Sequence, residues 1–160
     1  AEELARSCTM EAGRKSGPGG QHRNKVETGV RLVHQPTGIS AQAAEFRTQG
    51  ENRHRAMRRL RRRLAIDHRE TIDLMAWEPS DVLRGRIQNK RLVLNARHDD
   101  FPTVLAEIMD LIFEVSGNVA AAGRICGLST SQVVRLLKVE PEALAVVNRW
   151  RAEQGMPPMR

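Results

Sequence analysis

"GVRLVHQPTGISAQAAEFRTQGENRHRAMRRLRRRL", residues 29–64, decides how the chain folds. "GVRLVHQ" (29–35) reads as a strand, Pro36, Thr37 and Gly38 stand where a tight turn favours Pro and Gly, and "ISAQAAEF" (39–46) reads as the returning strand. That is a hairpin, so the sheet is at least partly antiparallel. Thr48 and Glu51 form a T-x-x-E capping box, which predicts a helix running to about residue 66. Its apolar stripe is Met57, Leu60 and Leu64, spaced three and four apart, so one face packs on the sheet. Most of the seven arginines from Arg53 to Arg63 then face outward as a cationic rail.

On the N-terminal side, "RSCTMEA" (6–12) alternates, with Cys8, Met10 and Ala12 on one side, and predicts a half-buried strand. Between it and the hairpin lies "RKSGPGGQHRNKVET" (14–28), in which four cations and a histidine crowd around glycines. Glycines reach backbone angles closed to other residues and bring N–H groups very near a ligand. The polar side chain at the tip is Gln21, an amide that offers a donor and an acceptor but no proton-transfer pKa.

The charge is unevenly placed. The chain has 26 basic and 19 acidic residues, a net +7. Residues 14–63 carry 13 Lys and Arg against Glu27, Glu45 and Glu51, a net +10, whereas residues 78–160 carry 11 against 10. A field that local and one-signed predicts binding to phosphate. No Tyr, three Phe and two Trp argue against base-stacking platforms of the single-strand-binding kind, so backbone phosphate is the expected target.

Cys8 and Cys126 show neither metal spacing nor a disulfide framework and read as buried thiols in a reducing compartment. No apolar run nears the roughly 20 residues that cross a bilayer, and the first residues lack a signal-peptide shape. A cytoplasmic monomer with no membrane partner is expected.

The second half predicts a small all-α bundle. A short helix starts at Ser80, "RLVLNA" (91–96) is extended, and a helix from Pro102 to about Val115 buries Val104, Leu105, Ile108, Leu111 and Ile112. In "NVAAAGRICGLSTSQVVRLLK" (118–138), small residues at 121–123, Gly127 in the bend, Leu128, an N-cap Ser129, and Val133 and Leu136 in a second helix resemble a helix-turn-helix unit. A last helix runs from Pro141 to about Arg151. The second helix would present Thr130, Gln132, Arg135 and Lys138, and with a local net charge of only +1 a packing or docking module is favoured over a sequence-specific DNA reader. His98, Asp99 and Asp100 are a poor ligand set and no HExxH spacing occurs, so no metal and no cofactor are expected.

The stretch from Ser16 to Leu64 resembles the peptidyl-tRNA hydrolysis domain of class I peptide chain release factors and their stop-codon-independent rescue relatives. The resemblance rests on Gly19-Gly20-Gln21, Asn24-Lys25, the "VRL" strand, the "PTGI" turn and the "RTQGENR" helix start, and covers about a third of the chain in the family's order and spacing. It implies an α+β fold, a small mixed or antiparallel sheet with a packed basic helix over residues 1–77, ahead of the helical domain at 78–160. It also implies hydrolysis of the peptidyl-tRNA ester in the large-subunit peptidyl transferase centre, with ribosomal RNA and peptidyl-tRNA as partners. Gly19, Gly20 and Gln21 would be catalytic: the Gln21 backbone N–H stabilises developing negative charge, and its side chain shapes the water site. Arg14, Lys15, His22, Arg23 and Lys25 near the tip, and Arg53, Arg55, Arg58, Arg59 and Arg62 on the rail, would contact ribosomal RNA.

Release factors that read stop codons carry long domains ahead of this one, and only about 16 residues precede the loop here. The last ten residues also lack the basic tail of some rescue hydrolases. The expectation is therefore peptide release without codon reading. The alternative is a non-catalytic helix-turn-helix regulator that binds nucleic acid and keeps the basic part as an anchor.

Overall fold

The computed structural model describes residues 2–13 and 28–160. The chain divides into two compact units, Ala1–Asp67 and His68–Arg160, and the α+β class expected from the sequence is what the described residues form.

In the first unit a short helix α1 (Glu2–Arg6) leads into β1 (Cys8–Gly13), followed by β2 (Gly29–His34), β3 (Ser40–Ala43) and the long helix α2 (Gln49–Asp67). The sheet order is β1-β2-β3, antiparallel throughout, with Met10 opposite Leu32 and Leu32 opposite Ala41. The predicted turn closes through Gly38 N–H to the His34 carbonyl at 2.8 Å. Gly38 takes φ +70°, a conformation that favours glycine. Helix α2 packs on β2 and β3, where Val30, Leu32, Ala41, Ala43, Ala56 and Leu60 form the core and Met57 and Leu64 flank it. Thr48 caps the helix as the box predicts, its Oγ1 accepting from Glu51 N–H at 3.2 Å, and the Glu51 carboxylate closes on the Thr48 hydroxyl, Oε2 accepting from Oγ1 at 2.6 Å.

The alternating strand at 6–12 needs correction on two points. It begins at Cys8, after α1, and it is not half-buried: Cys8 packs on the core, but Met10 is 45% exposed and Ala12 is exposed. β1 is an edge strand, and α2 lies under the other two. Alternation in sequence supplies a candidate face, and burial requires a second layer over it.

The second unit centres on α4 (Phe101–Glu114), after α3 (Asp81–Arg86). The five positions expected inside, Val104, Leu105, Ile108, Leu111 and Ile112, are fully buried, each contributing about 1.5–3 kcal/mol from removal of its side chain from water. α3 starts at Ser80, whose Oγ accepts from Leu83 N–H. α5 (Val119–Ile125), α6 (Thr130–Val139) and α7 (Pro141–Glu153) follow. The turn that joins α5 to α6 is built as its residues require. Asn118 and Ser129 cap α5 and α6, Gly127 bends the chain at φ +73°, and a Cβ on Gly123 would sit 2.8 Å from the Leu128 carbonyl oxygen.

One feature departs from an all-helical second unit. Part of the expected extended stretch forms a miniature hairpin, β4 (Ile87–Gln88) with β5 (Arg91–Leu92), around Asn89 and Lys90 at φ 49° and 60°. Such a turn is most often signalled by glycine, and none stands here.

Candidate functional site

The glycine loop joins β1 to β2, and the geometry at its two ends is defined. Gly13 pairs with Gly29 in the sheet register, so the chain leaves and returns on adjacent strands. The approach is close: a Cβ on Gly29 would meet the Gly13 carbonyl oxygen at 2.7 Å, and only glycine fits without displacing backbone. The predicted catalytic residues Gly19, Gly20 and Gln21, and the predicted RNA contacts Arg14, Lys15, His22, Arg23 and Lys25, lie outside the described residues.

Asn52, which the sequence reading passed over, holds the returning end of the loop. It sits fully buried in the first turns of α2. Its Nδ2 donates to the Thr28 carbonyl at 2.7 Å and the Phe46 carbonyl at 3.0 Å, while its Oδ1 accepts from Phe46 N–H at 3.0 Å. The amide orientation is fixed by these partners, since two carbonyls can face only the NH₂ group. One side chain thus ties α2 to the last residue before β2 and to the strand exit after β3. A sequence signal existed: Asn52 lies four and eight residues before Ala56 and Leu60, on the same helical stripe as the core.

Asn52→Asp keeps the acceptor but sets a carboxylate oxygen against two carbonyls. It is expected to cost about 1–3 kcal/mol, a drop of about 10 °C in the unfolding midpoint of a unit this size, read by thermal denaturation. Unchanged melting would remove Asn52 from the support of the loop.

The rail divides into two groups. Arg59 Nη1 donates to the Gln42 carbonyl at 2.7 Å and its guanidinium pairs with Glu45. Arg63 Nη1 donates to the Ser40 carbonyl at 3.0 Å. These two arginines tie the helix to the free edge of β3. Burial acts to raise the Glu45 carboxyl, but the Arg59 guanidinium and the Ala44 and Glu45 backbone N–H groups outweigh it and hold it below its ordinary value. Arg53, His54 and Arg55 are exposed, and Arg58 and Arg62 are half-buried. His54, Arg55 and Arg58 also line a shallow groove of about 370 Å³ with Phe46 and Glu51.

In the second unit, His98 and Asp100 are occupied with Arg86, which contacts Asp100 Oδ2 at 2.6 Å and His98 Nε2 at 3.0 Å. Burial pushes the Cys126 and Cys8 thiols above their ordinary values, away from the reactive thiolate. No helix among the described residues is long and apolar enough to cross a membrane.

Residues 5–97 match the family model described as the RF-1 domain. Among similar proteins, peptide chain release factor 1 of Dictyoglomus thermophilum is 51% identical over 55 residues, 34% of this chain and 15% of that protein. Its counterpart in Leptospira biflexa is 49% identical over 63 residues, 39% of this chain and 18% of that protein. The Streptococcus pyogenes protein of the same name is 57% identical over 53 residues, 33% of this chain and 14% of that protein. The chain therefore spans less than a fifth of the length of these relatives.

Proposed function

Because the chain belongs to the RF-1 domain family, we propose that it hydrolyses the ester of peptidyl-tRNA on the ribosome, and that it does so without reading a stop codon. The observation that carries this reading is the intact Gly19-Gly20-Gln21 sequence inserted between two strands whose ends are held by the Gly13–Gly29 pair and by Asn52. A glutamine cannot act as acid or base, so the loop acts by position and electrostatics. The backbone N–H of Gln21 donates to the oxyanion as the ester carbonyl becomes tetrahedral, and a preorganised donor of this kind in a dry site supplies about 3–4 kcal/mol. The Gln21 side chain shapes the site of the attacking water. Gly19 and Gly20 permit the backbone angles that bring the donor there.

In this reading the first unit, Ala1–Asp67, releases the peptide, while the second, His68–Arg160, docks on the ribosome. Arg14, Lys15, His22, Arg23 and Lys25 contact large-subunit ribosomal RNA near the tip, and Arg53, Arg55, Arg58 and Arg62 contact it further out. Arg59 contributes to RNA contact only with what its guanidinium retains after the ties to Gln42 and Glu45. The protein works as a monomer in the cytoplasm and needs no cofactor.

The test is release of labelled peptide from ribosome-bound peptidyl-tRNA under single-turnover conditions. Release that depends on the chain is expected. Specific binding of duplex DNA at physiological salt, without ribosome association or release, would favour a non-catalytic helix-turn-helix regulator instead.

A further inference from the structure

The second unit has a small net charge, yet its charges are sorted. The β4–β5 hairpin, α5 and α6 contain Lys90, Arg91, Arg124, Arg135 and Lys138 and not one Asp or Glu. Apart from Glu140, which caps the C-terminus of α6, the acids of this unit lie on other segments, such as Asp81, Glu107, Asp110 and Glu114 on α3 and α4 and Glu142 and Glu153 on α7. The hairpin and α6 are also joined. Gln132, in the first turn of α6, accepts from Leu92 N–H at 2.6 Å and donates to the Lys90 carbonyl at 3.0 Å. Along α6, Ser131, Arg135 and Lys138 are exposed at spacings of four and three, so they line one face. At the hairpin tip Lys90 is exposed at φ 60°, a left-handed conformation that glycine would adopt at lower cost.

We infer that the hairpin and α6 form one binding surface for the phosphate backbone of duplex RNA, with Lys90, Arg91, Arg135 and Lys138 as its contacts. A DNA-reading unit of this shape uses the N-terminal residues of its second helix to reach base edges in the major groove. Here Gln132, the residue suited to that work, is spent on bracing the hairpin. Besides the amides of Gln88 and Asn89 on the hairpin and Val139 at the end of α6, what remains exposed is cations and the short hydroxyls of Thr130 and Ser131. Those groups suit phosphates and 2′-hydroxyls, and A-form RNA offers these across a shallow minor groove while closing its major groove to a helix. The choice of RNA over DNA rests on the ribosomal reading above; the phosphate-binding surface rests on the second unit alone.

The experiment uses the full chain and measures affinity for an RNA duplex of about 20 base pairs, and for DNA of the same sequence, across a salt series. Arg135→Gln with Lys138→Gln, and separately Lys90→Gln with Arg91→Gln, are compared with an equal-charge control, Arg149→Gln with Arg160→Gln. Each of the first two pairs is expected to reduce the salt slope for RNA by about two units, one per lost phosphate contact, with thermal midpoints unchanged. The control is expected to leave the slope nearly intact. Equal loss in all three would reduce the surface to a general charge effect, and tighter, sequence-dependent binding of the DNA would overturn the inference. Peptide release is not part of the readout, so failure here leaves the catalytic reading standing, and failure of release leaves the phosphate-binding surface but removes the ground for RNA over DNA.

Discussion

Gly20→Ala is expected to lose at least about 10²-fold of single-turnover peptide release while ribosome binding and the unfolding midpoint stay near wild type. The added methyl would block backbone angles that glycine alone reaches freely, while the core side chains of Val30, Leu32 and Leu60 are left unchanged. Gln21→Ala is milder, because the backbone donor survives and only the side chain at the water site is lost. Gln21→Pro deletes the N–H outright and is expected to match the glycine variant. The order of the three separates a backbone-donor mechanism from a side-chain one. Should Gln21→Pro release peptide at the wild-type rate, the donor is not the Gln21 N–H.

Arg69→Met is expected to destabilise the second unit by about 3–5 kcal/mol, the usual cost of stripping the partner from a buried charge. Arg69 Nη1 lies 2.7 Å from Asp110 Oδ1, and both side chains are only 12% exposed. Glu70 N–H donates to the same oxygen at 3.2 Å, and the guanidinium carbon sits 5.9 Å from the Trp150 ring centroid. Burial raises the Asp110 carboxyl above its ordinary value, with the Arg69 charge and the Glu70 N–H opposing. A carboxyl raised on folding costs stability when ionised. That cost is absent below the unfolded-state value and is felt as pH climbs through the folded one. Without Arg69 the rise is larger, so the deficit of Arg69→Met should be greatest at neutral pH and shrink as pH falls through the acid range. The double variant Arg69→Met/Asp110→Leu removes both charges and should recover most of the loss, which a thermal or denaturant double-mutant cycle reads directly. A deficit that does not depend on pH would assign the effect to lost packing on Trp150 instead.

Short-range signals carried most of the fold. The Pro36-Thr37-Gly38 turn, the Thr48/Glu51 pair and the Ser129 cap each act over three or four residues, and each stands where its chemistry requires. What escaped depends on partners distant in sequence. Met10 and Ala12 alternate as a buried face would, yet β1 is an edge strand with α2 under its neighbours. Arg59 and Arg63 look like surface charge until β3 places the Gln42 and Ser40 carbonyls beside them. Arg69 and Asp110 meet across 41 positions, and no local pattern marks either. The Asn89-Lys90 turn lacks the glycine that signals such a hairpin. The candidate site divides likewise. Gly19, Gly20 and Gln21 stand out in the sequence as a motif and lie outside the described residues, whereas Asn52, which holds the stem through Thr28, is an ordinary polar residue until its two carbonyl partners are seen.

The most direct test of the central claim is the rate of peptide release by the wild-type chain from four substrates at equal concentration. These are ribosomes with a stop codon in the A site, with a sense codon there, on a message truncated before it, and isolated large subunits carrying peptidyl-tRNA. Codon-independent hydrolysis predicts similar rates on the stop and sense codons, with the truncated message or the isolated subunit equal or faster. Release confined to the stop codon would contradict it.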